Sequence, residues 1–85
     1  MKEFKDLEFV PHPMGSGVQA LIEFENSYGA SIVRTPYTYG GGDGLYELAV
    51  FKDGQLTYDT PITDDVIGYL TEEGVTQLIT EIQLL

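Results

Sequence analysis

The sequence predicts an α+β fold: a twisted antiparallel sheet of about four strands with a C-terminal amphipathic helix packed on one face. Three stretches carry that expectation. "VQALIEFE" alternates apolar and polar residues. "GLYELAVFKDGQLTYD" sets an Asp53-Gly54 pair between β-rich flanks. "TEEGVTQLITEIQLL" repeats apolar residues at helical spacing.

The strands follow in order. In residues 18–25, Val18, Ala20, Ile22 and Phe24 share one face, and Gln19, Glu23 and Glu25 the other, with Leu21 the exception, which marks a half-buried strand. "NSYG" reverses the chain. A three-residue loop over residues 27–29, with Gly29 left-handed, would set Phe24 opposite Ile32 and keep the apolar residues together. "ASIVRT" is the next strand, with a continuation through "PYTY" that would bend at Pro36, which has no N–H for a ladder. Asp53-Gly54 favours a type I′ turn pairing Lys52 with Gln55, Phe51 with Leu56 and Ala49 with Tyr58. Both faces of this hairpin are apolar: Leu45, Ala49, Phe51, Leu56 and Tyr58 on one, Tyr46, Leu48 and Val50 on the other. Such a strand is central, or is covered by a helix on one side and by something else on the other, which in a chain this small points to a second subunit.

The period then changes. Thr63 is placed to cap one helical turn over residues 64–70. Thr71 caps a second helix, in which Val75, Leu78, Ile79, Ile82 and Leu85 form one stripe. Before all of these, Leu7, Phe9 and Val10 fit a short strand, and "PHPMGSG" reads as an extended loop. The expected organisation is one small domain over 1–85, strand-rich through 1–60 and helical over 63–85.

Composition narrows the function. The chain has no cysteine, which removes disulfides, thiol chemistry and Cys-based zinc sites and suits the cytoplasm. "MKEFKDLEF" lacks the apolar run of a signal peptide, and no stretch reaches the ~20 apolar residues of a membrane span. Fourteen acidic residues against four basic ones give a net charge of −10, and no Lys or Arg follows Lys52. Phosphate contacts need cations, so direct binding to nucleic acid or an anionic membrane is disfavoured, and a basic protein surface is favoured. The same acidity also serves solubility alone.

Specific chemistries find little footing. "GGGDG" holds four of the ten glycines. No Gly-Lys-Ser/Thr follows it, and a strand rather than a helix comes next, so it reads as a connection and not as a phosphate cradle. Asp64-Asp65 and Glu72-Glu73 lack calcium-loop spacing and suit helix N-termini as dipole partners. His12 is the one histidine; with Ser16, Ser27 or Ser31 it shows no nucleophile motif. No cofactor or metal is expected, and the chain reads as a non-enzyme. Six tyrosines stand against no tryptophan. Tyr37 and Tyr39, placed on one strand face beside the glycine run, are interface candidates, because tyrosine supplies area and a hydrogen bond at low entropy cost. Cross-strand packing accounts for tyrosines equally well.

The strings "EFENSYGASIVRTPYTYGG" and "GLYELAVFKDGQLTYDTPITDDVIGYLTEE" resemble a family of small proteins encoded in tailed bacteriophages and prophages. The resemblance covers most of the chain. That family has no assigned activity, so it carries no functional residues across. A lysine-rich tail found in similar sequences is replaced here by "EIQLL". The resemblance implies a protein that acts in the cytoplasm of a bacterial host by binding and modulating a host protein. An anti-defence inhibitor of the anti-CRISPR kind, occupying the basic channel of a nuclease or CRISPR effector as a nucleic-acid mimic, fits the charge. Its contact residues would be Asp59, Asp64, Asp65, Glu72 and Glu73. Two readings stand beside it: an assembly module forming a homo-oligomer through an exposed sheet face, and an enzyme using two carboxylates.

Overall fold

The computed structural model describes residues 1–57, 60 and 66–85. Among them, a 3-10 turn at Phe4–Asp6 precedes strands β1 (Val10–Pro11), β2 (Val18–Glu23) and β3 (Tyr28–Arg34). A second 3-10 turn, Gly41–Asp43, leads into β4 (Tyr46–Lys52), β5 (Gln55–Leu56) and β6 (Ile67–Leu70), and helix α1 (Glu72–Gln83) follows.

All pairings are antiparallel. The order runs β1-β2-β3-β4-β5, and β6 also pairs with β4. β5 lies beside Phe51 and Lys52, and β6 beside Tyr46 and Leu48, so the two short strands occupy successive parts of one β4 edge. The sheet is the expected antiparallel one; β6 is the added strand, and the strand expected at Leu7, Phe9 and Val10 is confined to Val10–Pro11.

The register explains the core. Ala20, Ile32 and Leu48 form one row across three strands; Ile22, Ala30 and Val50 form the next. These rows lie under α1, whose Val75, Ile79 and Ile82 are fully buried. Burying each such aliphatic side chain contributes about 1.5–3 kcal/mol. Thr71 caps α1 as the sequence predicts, its Oγ1 accepting the Gly74 N–H at 3.1 Å. The N-terminal segment closes one side of this core: the rings of Phe4, Phe9 and Tyr46 lie with centroids 5.2–5.5 Å apart. The Phe4 N–H donates to Thr76 Oγ1 at 2.9 Å, and Lys2 and Gln83 exchange two bonds of 2.9 Å.

The Asp53-Gly54 turn forms as expected, with both residues at positive φ and the pairs Lys52–Gln55 and Phe51–Leu56 in place; Tyr58 lies outside the described residues. The β2–β3 turn differs. It is a three-residue loop, but Phe24 pairs with Tyr28, its N–H donating to the Tyr28 carbonyl at 2.7 Å, and the left-handed residue is Ser27. Asn26 draws the turn forward: its Oδ1 accepts the Tyr28 N–H and its Nδ2 donates to the Ile82 carbonyl. The shift is an even number of residues, so every side chain keeps its face.

Two further expectations are corrected. The Leu70 end of the helical turn expected over 64–70 is strand β6, because Ile67 and Leu70 pair with Leu48 and Tyr46. The strand expected to continue through "PYTY" stops at Arg34. Thr38 Oγ1 accepts the Thr35 N–H and donates to the Thr35 carbonyl, and Thr35 Oγ1 accepts the Tyr37 N–H. These side chains capture the backbone that a ladder would need. Tyr37 and Tyr39 therefore lie in a turn, not on a strand face.

Candidate functional site

The two sequence-singled tyrosines sit where the β3–β4 connection folds against β6. β6 carries a bulge: Tyr46 pairs with Leu70 and Leu48 with Ile67, so Gly68 and Tyr69 together oppose Glu47. Tyr69 takes up the extra residue in the left-handed region, at φ 57°. Its N–H donates to the Tyr39 carbonyl at 3.1 Å. Gly68 is required by close approach: a Cβ there would lie 2.4 Å from Tyr39 Cβ. On the other side, the Tyr39 N–H donates to Glu47 Oε2 at 2.9 Å. Backbone bonds on both flanks thus fix Tyr39 beside Tyr69, with ring centroids 6.5 Å apart and planes 32° from parallel.

These rings face outward. Tyr37, Tyr39 and Tyr69 are 93%, 61% and 64% exposed. Tyr39 and Tyr69, on two segments bonded to each other, present an exposed ring pair of the kind suited to contact with another macromolecule, and Tyr37 is exposed two residues before Tyr39. Glu47, half-buried on β4, adds a carboxylate beside the Tyr39 backbone. Sequence reading did not single out Tyr69 or Glu47. Nothing local marks Tyr69, because its place in the patch comes from a bulge and a non-local bond; alternation along "YELAVF" does put Glu47 on the face away from the helix.

The acidic candidates lie elsewhere. Glu72 and Glu73 are exposed in the first turn of α1, well placed against its dipole. With Glu3, Phe4, Lys5 and Thr76 they line a shallow depression of about 320 Å³. A larger open hollow of about 780 Å³ lies between the N-terminal segment and the β2–β3 turn, and its lining includes Asp6, Glu23 and Glu25 as well as Lys2 and Gln83. Asp59, Asp64 and Asp65 lie outside the described residues.

Three of the four basic side chains are engaged. Lys5 Nζ lies 3.7 Å from Glu3, the one ion pair among the described residues. Arg34 lies over the Tyr46 ring at 4.9 Å and Lys52 over the Tyr28 ring at 4.4 Å. Among the described residues, no three His, Asp or Glu side chains converge as metal ligands. His12 Nδ1 accepts the Met14 N–H within its own turn, and Ser31 is buried against Gln19. No helix among the described residues is long and apolar enough to cross a membrane.

No family model matches the sequence, and comparisons with curated proteins and with solved structures return no match.

Proposed function

We propose that this chain is a phage-type binding protein that modulates a host protein bearing a basic surface, an anti-defence inhibitor of the anti-CRISPR kind that mimics nucleic-acid charge in the bacterial cytoplasm. The reading is one of binding without catalysis. The observation that carries it is the unneutralised charge: net −10, with one ion pair among the described residues and Arg34 and Lys52 placed over tyrosine rings. Carboxylates without internal partners remain open to external cations, and they steer association with a basic surface. The phage context comes from the sequence strings quoted above.

The test is affinity capture from a bacterial host lysate at low and high salt, with mass spectrometry and competition by duplex DNA. A basic nucleic-acid-binding protein retained at low salt, released by salt and displaced by DNA is the expected result. Salt-insensitive capture, or capture of no such protein, overturns the reading.

A second reading, self-association through the sheet, is favoured by one observation. α1 packs on one face only, and the other carries Leu21, Val33, Ala49, Phe51 and Leu56, with Leu21 67% exposed. A strictly monomeric mass by light scattering at high concentration removes it.

A further inference from the structure

The geometry points to a cation cage formed by Tyr39, Tyr69 and Glu47 that takes an arginine side chain presented by a basic polypeptide. The biological identity of that polypeptide rests on the reading in the preceding subsection; the cage itself rests on three observations.

The first is the ring pair. Two tyrosine rings with centroids 6.5 Å apart and planes 32° from parallel are close enough for one cation to lie within the ~6 Å reach of both quadrupoles. A guanidinium is planar and stacks on such faces, which an ammonium does not. Both rings are well over half exposed, so their faces are open to an incoming side chain.

The second is the carboxylate. Glu47 opposes the bulge that carries Tyr69 and binds the Tyr39 N–H through Oε2. Its other oxygen has no cation of the chain in ion-pair range. A guanidinium between the rings could donate to it, adding a charge-assisted bond to the two ring contacts. The chain's own arginine is committed elsewhere, over Tyr46 with Nη1 donating to the Gly44 carbonyl at 3.4 Å.

The third is the backbone at Tyr69. A left-handed conformation at φ 57° is easy for glycine or asparagine and costly for tyrosine. A bulky ring held there, 64% exposed, breaks a local rule with contacts to the Tyr39 ring and the glycine turn beside it. Such strain concentrates at binding sites. Charge complementarity selects the occupant: an acidic chain with a carboxylate bound beside two exposed aromatic rings suits a cation, and a second copy of this −10 chain supplies few.

The probe is an arginine-rich peptide, titrated at low salt against the isotope-labelled full chain by NMR, with its citrulline counterpart as the neutral control. Shifts centred on Tyr39, Tyr69 and Glu47, absent with citrulline, are expected. Tyr39→Ala, Tyr69→Gly and Glu47→Gln should each weaken binding by about 3- to 10-fold. Tyr39→Phe and Tyr69→Phe should retain it. Tyr69→Gly relieves the backbone, and glutamine keeps an acceptor for the Tyr39 amide, so loss of binding in a folded variant is not a folding defect. Shifts spread evenly over the carboxylates, or binding unchanged in the three variants, overturn the cage. Lysate capture reads the other proposal separately: a host partner held equally by wild type and Tyr69→Gly refutes the cage and leaves charge mimicry standing. Local arginine binding with no host partner at any salt does the reverse.

Discussion

The side-chain amide of Asn26, in the turn between β2 and β3, donates to the carbonyl of Ile82 near the end of α1 at 2.9 Å. One residue thus shapes a hairpin and ties it to a helix terminus, adding a second donor to a carbonyl that also accepts the Leu85 N–H at 3.2 Å. Asn26→Ala removes both this bond and the one to the Tyr28 N–H. The expected loss is about 1–3 kcal/mol, read as a lower urea midpoint with an unchanged slope. Asn26→Asp keeps the acceptor for Tyr28 but sets a charge against the Ile82 carbonyl, and should lose at least as much.

The glycine run separates into distinct roles. A Cβ on Gly41 would lie within the Thr35 backbone carbonyl, whereas one on Gly42 meets nothing within 4 Å. Gly41→Ala should therefore cost more than 2 kcal/mol and disturb the Tyr39 resonances. Gly42→Ala should be neutral, or stabilise by up to ~1 kcal/mol through the unfolded chain. Equal effects at the two positions, measured by thermal unfolding, would show that the run is a uniform flexible linker.

Gly68 joins the tyrosine patch to the sheet. Gly68→Ala forces its new methyl into Tyr39. The bond from the Tyr69 N–H to the Tyr39 carbonyl should break, and amide exchange at Tyr69 should accelerate while the core amides of β3 stay protected. Loss of protection throughout the sheet would show that this contact supports the whole fold rather than the patch.

Leu48 lies at the crossing of sheet and helix, fully buried between Ile32 and Ile67 in the β4 row. Leu48→Ala should cost about 2–5 kcal/mol, a large share of the stability of so small a chain. Thr71→Ala removes the α1 cap and should cost ~1 kcal/mol. Gly74→Ala, whose methyl would make ordinary contact with Leu70 at 3.4 Å, should recover up to about that amount.

Features encoded by neighbours along the chain were legible. The Asp53-Gly54 hairpin pairs as its turn chemistry requires, and the Val75, Ile79 and Ile82 stripe enters the core. Features encoded by contacts between distant segments were not. The β2–β3 turn is moved by a bond from Asn26 to the far end of α1. β6 looks helical by its flanking acids and becomes a strand through β4, with Gly68 fitted to Tyr39. The patch follows the same division. Tyr37 and Tyr39 stood out by residue type beside the glycines, although as strand residues they were misplaced. Tyr69 joined them only through the bulge.

The bonds between Lys2 and Gln83, and between Phe4 and Thr76, also bear on how the molecule is made. Synthesis proceeds from the N-terminus, so Val75, Ile79 and Ile82 leave the ribosome after every strand they cover. Until they do, the apolar rows of β2, β3 and β4 have no cover, and the first residues wait for a partner not yet made. The core therefore closes only once α1 has emerged, through contacts between residues 72 and 81 positions apart.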